Sequence, residues 1–485
     1  MNILNIKKNF SLLLAAGLLV SVTSCNKFLK EESQDEVIPE TATDYAELLL
    51  GSGYPRTDEP FDFLYLMDDD VEFAMDFQAA GSIAALEQYP RFTWQPSMVD
   101  RNGQGEIISV NPGDTPYAKY YTSIMGCNAV LDNIDNSIGT DAQKQKVRAE
   151  ALAVRAYYYF QLANYYGEPY FKNPEGLAVP LKLTSALEET YRARNTVKEV
   201  YAQVINDLNE ASELMHNLPI VRGDFHINLP AIHILLSRVY LFMEDWDNTI
   251  KEANKVFELG GKIAALPEIP RIPGQEAPAS TYLTYDNPEV EWVFGGNTQV
   301  VQNPYIPNRS FIATFSDKDA RKSYFAPATS SLGVYHLLAK LPTGTSFAQV
   351  LRSSEALLNR AEAYARKGEA SSAAADLNLL RANRIAEYTN QSFSSADETL
   401  TAIRQERRKE FCYEGFRWLD LRRYGMPAIE HVYQNAIGEA PVTYRLEEND
   451  PMYTLPFENS LIQKNPELKQ NPSADAGDRV GISND

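Results

Sequence analysis

Cys25 ends the run Val22-Thr23-Ser24-Cys25, and a cysteine reached through small residues after an apolar stretch is a candidate for acylation. Lys7 and Lys8 form a positive leader, and Phe10 to Val22, dominated by Leu12, Leu13, Leu14, Leu18 and Leu19, is an apolar run of about 13 residues. A membrane-spanning helix needs roughly 20. The pattern therefore predicts a cleaved export signal over residues 1–24 and a lipidated Cys25 as the first mature residue. Several acyl chains, at about 0.8 kcal/mol per buried CH₂, would hold such a chain on a membrane.

Other reactive side chains form no catalytic pattern. Cys127 and Cys412 are too few for a disulfide framework, lack Cys-x-x-Cys spacing, and read as buried small residues on helices. His216, His226, His233, His336 and His431 show no metal-binding spacing, so neither a metal nor a cofactor is expected. Met67-Asp68-Asp69-Asp70 is the exception among the acids. Three carboxylates in a row can bind hydroxyl groups or a structural calcium, and equally can face solvent or cap a helix. Aromatic residues are abundant, 28 Tyr, 21 Phe and 4 Trp, and tyrosine's apolar ring and polar tip suit both cores and sugar-like ligands.

The elements that must position these residues are helical. In 485 residues with 44% hydrophobic content there is enough apolar matter for large cores. The net charge of −20 becomes −22 once residues 1–24 and their two lysines are removed, which excludes a nucleic-acid footprint. Residues 25–44 read as an acidic tether, with the folded body, residues 45–485, beginning near Tyr45. Val147, Ala151, Val154, Tyr158, Leu162 and Tyr165 predict a long helix stopped by Gly167-Glu168-Pro169. The pattern repeats through Val200 to Met215, Ile232 to Met243, Trp246 to Phe257, Leu351 to Lys367 and Ala370 to Arg384. Such pairs predict a mainly α, tetratricopeptide-like scaffold of about four units over residues 115–260 and 345–425. Loop-rich segments over 50–115 and 260–345, the latter with short strands such as Val290 to Phe294, interrupt it. Trp246, Trp292 and Trp418 are assigned to the core.

The C-terminal third carries the sharpest pattern. Leu351-Arg352-Ser353-Ser354-Glu355-Ala356 leads to Asn359-Arg360-Ala361-Glu362-Ala363, then Ala374-Ala375-Asp376-Leu377-Asn378. Arg404-Gln405-Glu406-Arg407-Arg408-Lys409-Glu410-Phe411 precedes Glu414-Gly415-Phe416-Arg417 and Asp420-Leu421-Arg422-Arg423. The interleaved charges of this stretch predict ion pairs, with Asp420 in a partly buried cluster. Asn465-Pro466 and Asn471-Pro472 predict an extended strap over 450–485. In this order, and with Asn128 to Asp132, Glu150-Ala151 and Cys25 upstream, these motifs resemble the SusD/RagB family of outer-membrane nutrient-binding lipoproteins.

The resemblance implies a non-enzymatic, cell-surface protein of the outer membrane. It would bind oligosaccharide or polysaccharide and serve as a lid on a SusC-like TonB-dependent transporter. Sugar recognition in such proteins implies rings stacking on sugar faces beside polar side chains. Trp94, with Tyr89 and Arg91, is the first candidate platform, although a loop tryptophan equally plugs a core. Asp68 and Asp69 would read hydroxyls, and Tyr305, Asn308, Arg309 and Tyr324 join them from the second loop-rich segment. Two other functions compete: a surface glycoside hydrolase, which needs two carboxylates about 5 to 9 Å apart, and a helical-repeat scaffold for outer-membrane assembly.

Overall fold

The computed structural model describes residues 38–55, 62–75, 79–107, 115–188, 190–266, 287–294, 304–330, 333–338 and 349–483. The chain divides into a leading unit, Met1–Glu40, and a body, Thr41–Asp485. The export signal and Cys25 lie outside the described residues. In chain order the elements are α1 (Ala42–Ser52), β1 (Val71–Phe73), α2 (Ile83–Phe92), α3 (Pro116–Asn133), α4 (Asp141–Tyr166), α5 (Val197–Met215), α6 (Leu229–Phe242) and α7 (Trp246–Glu258). The central segment adds β2 (Val290–Phe294), β3 (Tyr305–Pro307), α8 (Arg309–Ile312), β4 (Phe325–Ser330), β5 (Gly333–Leu338) and β6 (Gln349–Arg352). The last third holds α9 (Ser353–Arg366), α10 (Ala370–Ala382), α11 (Ala396–Glu410), α12 (Arg417–Arg423), β7 (Ile429–Tyr433), β8 (Val442–Leu446), α13 (Asn459–Lys464) and β9 (Ile482–Ser483).

Helix pairs α1/α3, α4/α5, α6/α7 and α9/α10 pack in succession, the tetratricopeptide-like stack that the periodicity predicts. Helix α4 lies at its centre. Thr140 and Gln143 close a capping box at its start, and from Ala149 to Tyr166 every residue is buried. A helix apolar on all sides needs neighbours on all sides. Its neighbours include α3 and α5, and the Arg155 guanidinium fastens α5 with two 2.8 Å bonds to Asp207. Gly126 sets how closely α1 approaches α3: a Cβ there would lie 2.3 Å from the Ser52 carbonyl oxygen.

The C-terminal carbonyl groups of α4 have no helical partners. Leu455 N–H donates to Tyr165 O at 2.8 Å, Arg194 Nη2 and Asn471 Nδ2 donate to Tyr166 O at 2.8 and 2.9 Å, and Arg422 donates to Gly167 O. Two guanidinium groups at a helix C-terminus also suit its dipole.

The described residues also form four small antiparallel assemblies: β1 with β3, β2 with β6, the β4–β5 hairpin, and the sheet β7–β8–β9. The segment between α7 and α9 is tied to α11 through buried charge. Glu410 receives Arg321 at 3.0 Å, Arg384 at 2.9 Å and Arg352 at 3.3 Å, all nearly inaccessible to water. Glu406 takes Arg321 and Arg381, and Glu289 takes Arg384. The predicted ion pairs are present, but their partners stand on other elements rather than along one helix. In a separate buried cluster Asp420 accepts from Arg407 and Arg423.

Several expected boundaries shift. Helix α1 already starts at Ala42, capped by Thr41 and Asp44, so the tether gives way before Tyr45. Leu351 and Arg352 belong to β6, where Leu351 pairs with Trp292, and α9 begins only at Ser353. Cys127 is buried in α3 as expected, whereas Cys412 is buried in the turn after α11. The strap is not extended, because α13 and the 3-10 turns Pro466–Leu468 and Pro472–Asp475 coil it. Trp292 and Trp418 are buried as predicted, while Trp246 is half-buried under Arg366.

Candidate functional site

The loop 67–70 holds two of the predicted site residues, Asp68 and Asp69, and bonds to two more, Trp94 and Asn308. Each of its four carbonyl oxygens is taken. Trp94 Nε1 donates to Met67 O at 2.9 Å, His431 Nε2 lies 2.9 Å from Asp68 O, and Arg408 Nη2 donates to Asp69 O at 2.9 Å. Asp70 O accepts from the Tyr413 hydroxyl at 2.6 Å and from Asn308 N–H at 2.8 Å. Arg417 grips Asp69 through Nε at 2.6 Å and Nη2 at 2.8 Å, and Arg408 Nε donates to Asp70 Oδ1 at 2.6 Å. Such bidentate, charge-assisted bonds fix geometry strongly.

The three aspartates are electrostatically unequal. Burial, with Asp70 and Asp69 beside it, holds Asp68 well above the usual carboxylate range. Burial also pushes Asp69 up, but Arg417 and Arg408 win and hold it low. At Asp70 burial outweighs Arg408, and the net shift is upward. The three carboxylates offer oxygen atoms within 4.8 Å of one another. A calcium ion among them would compete with two guanidinium groups and require Asp68 to ionise.

Trp94 is a pin of the core. It is 0% exposed, and in this arrangement it presents no ring face to a ligand. Its ring stacks on His431 at 4.2 Å, and Phe92 stacks on His431 at 4.1 Å. His431 Nδ1 also lies 2.7 Å from Phe92 O. Burial pushes the imidazolium down to about 4, while its two carbonyl neighbours favour the charged ring. Tyr305 is likewise buried, packed on Phe73 and Phe92, with its hydroxyl on Ala85 O at 2.6 Å. Tyr324 is wholly buried at the end of the 3-10 turn Ala320–Tyr324. These three rings therefore support the surface from within, since an apolar ring gains more by packing than by waiting in water.

What remains at the surface is smaller. Tyr89 is half-buried, its ring against Tyr433 and Tyr444 and its hydroxyl 3.0 Å from that of Tyr444. Arg91 is half-buried over the Phe63 ring, with Nη1 donating to Gln88 at 2.9 Å. Asn308 caps the short helix α8, and the exposed Arg309 reaches Glu72 at 3.3 Å. The β1–β3 ladder, which pairs Phe73 with Tyr305 and Val71 with Pro307, joins the two loop-rich segments on which these residues lie. An amphipathic ring flanked by guanidinium and amide groups can stack on an apolar face and donate to hydroxyl oxygens. His431 and Tyr413 were not singled out in the sequence, because neither stands in a motif; only their reach to loop 67–70 marks them.

Comparison with known proteins places this architecture. A family model described as starch-binding and associating with the outer membrane matches residues 73–241, and the SusD family model matches residues 342–473. The chain belongs to the SusD/RagB family, an outer-membrane-associated group. Among solved structures it is similar to a SusD superfamily protein from Bacteroides thetaiotaomicron, at 24% identity over 89% of this chain and 100% of that one, with a TM-score of 0.70. A SusD-like carbohydrate binding protein from Bacteroides vulgatus shares 21% identity over 88% and 97% of the two chains, TM-score 0.63. A SusD superfamily protein from Bacteroides fragilis shares 21% identity over 88% and 99%, TM-score 0.67. No curated protein matches in sequence. Among the described residues no helix is long and apolar enough to cross a membrane.

Proposed function

We propose that this chain is a non-enzymatic, cell-surface lipoprotein that captures oligosaccharide or polysaccharide and delivers it to a SusC-like TonB-dependent transporter. The observation that carries the reading is the ordered pair of SusD-type matches, one on each side of the loop-rich central segment. Anchorage is assigned to Cys25 acylation, and ligand contact to Tyr89, Arg91, Asn308 and Arg309. Tyr89 is the residue whose chemistry fits best: its ring is braced by two other tyrosines, which limits the entropy lost when a sugar settles on it.

Retardation of the purified protein in gels containing a panel of polysaccharides tests the binding. At least one glycan is expected to slow migration, and Tyr89→Ala to weaken that effect several-fold while the variant remains folded by circular dichroism. Retardation by no glycan, together with capture of unfolded outer-membrane chains, would instead support an assembly scaffold. Sustained release of new reducing ends from a bound glycan would establish a hydrolase. Co-purification from detergent-extracted outer membranes checks delivery: a TonB-dependent transporter is expected in the complex, and its absence would remove that half of the reading.

A further inference from the structure

The strap that covers the end of α4 contains a carboxyl group with nothing to pair with. Glu458 is 1% exposed, and neither of its carboxylate oxygens has a hydrogen-bond partner among the described residues. It occupies the N-cap position of α13 yet makes no capping bond. The groups that face it are Tyr117 on α3, Tyr166 on α4 and Asp100 beyond the 3-10 turn Pro96–Val99. Asp100 already spends both oxygens on Asn459, at 3.0 Å to the backbone N–H and 2.8 Å to Nδ2. Arg194, which lies 4.9 Å over the adjacent Phe457 ring, gives its N–H groups to the carbonyls of Ala178, Lys469, Tyr166 and Leu177.

The same stretch holds three more buried oxygens without partners, Ser460 Oγ, Asn465 Oδ1 and Ser473 Oγ, and α13 buries none of its own residues. Its apolar anchors are Phe457, stacked on Tyr166 at 4.3 Å and 6°, and Leu468, with the partly buried Leu461 and Ile462 of α13 beside them. An isolated carboxylate is strongly disfavoured in such a place, whereas the neutral acid is tolerated. A docked strap that carries unpaired buried oxygens and one ionisable buried group is poised to open.

We propose that Glu458 is a protonation-controlled latch: as the neutral acid it lets residues 456–470 lie on α3 and α4, and as the carboxylate it releases them and uncovers Tyr117 and Tyr166. Burial, against the pull of its own backbone N–H and with a small push from Asp100, raises the docked group to about 8 from an ordinary glutamate value of 4.5. Between those values the docked state retains a proton that the released state gives up, so docking weakens as pH rises. The docking equilibrium should fall about fiftyfold from pH 6 to pH 8.

Amide hydrogen exchange on the whole protein and on Glu458→Gln, compared at each pH, cancels the dependence of chemical exchange on pH. Opening of peptides within 456–470 should rise about fiftyfold more in the wild type than in the variant between pH 6 and pH 8, with α4–α7 unchanged. Equal protection of the two proteins at every pH would overturn the proposal. Should the variant fail to fold, the carboxyl carbon shift of Glu458 in glutamate-labelled wild type decides: a neutral acid at pH 7 supports the latch, and an ordinary carboxylate sinks it.

Discussion

A tryptophan at φ 52° is held in a region that costs an L-residue roughly 1–2 kcal/mol, and it persists only where its surroundings over-determine it. Around Trp94 they do: the indole N–H holds Met67 O, the ring rests on His431, and its own carbonyl accepts from Arg479 at 2.9 Å. Trp94→Ala is therefore expected to lower unfolding stability by about 3–5 kcal/mol in urea titrations, as large aromatic truncations in cores do. A change below 1 kcal/mol would mean the residue is not a core pin. A second residue-scale expectation concerns acid. Although burial opposes it, Arg423 with Arg404 and Arg407 holds Glu362 at about 2, below its ordinary 4.5. The sign follows: this group's stabilisation is complete above pH 4.5 and is lost as pH falls through about 2. Glu362→Gln should flatten the stability profile between pH 5 and pH 2, and an unchanged slope there would contradict the buried pairing.

At the scale of elements, the contact between α1 and α3 is set by the absence of one atom. Alanine is normally the better helix residue, worth about 0.5–1 kcal/mol over glycine. In α3 the order should reverse, since a methyl at position 126 meets backbone of residues 52 and 53 that cannot swing aside. Gly126→Ala is expected to lower the thermal midpoint at a cost of about 1–3 kcal/mol, whereas a raised midpoint would place α1 farther away. The helices themselves were legible in the sequence because burial enforces a period: Val200 to Met215 falls inside α5, and Ile232 to Met243 overruns α6 only at its C-cap, Met243. The three-residue strands β1 and β3 were not, since a strand that short carries no period and is defined by its partner some 230 positions away. The candidate site suffered from the same blindness. Tyr89, Arg91, Asp69, Asn308 and Arg309 were picked by residue type, but type cannot tell the half-buried Tyr89 from Trp94 and Tyr305, which the β1–β3 ladder and β7 enclose.

For the molecule as a whole, the reading makes address and binding separable. Cys25→Ala should abolish retention at the cell surface while leaving glycan affinity of the released body intact, measured by fractionation and gel retardation side by side. Loss of binding in that variant would show that the leading unit belongs to the binding body. The way α4 is finished has a different consequence, for the order in which the chain folds. Its central helix is complete only when Leu455, Arg422 and Asn471 reach its last carbonyls, and Asn471 stands 305 positions from the Tyr166 oxygen it caps. Helices α4–α7 touch neighbours close in sequence and can assemble early, whereas the closing contacts have to wait for a loop that spans most of the chain. A growing or translocating chain would thus carry an unfinished helix end at its centre almost until its synthesis or passage is over, and any protein that recognises incomplete copies has a marker there to read.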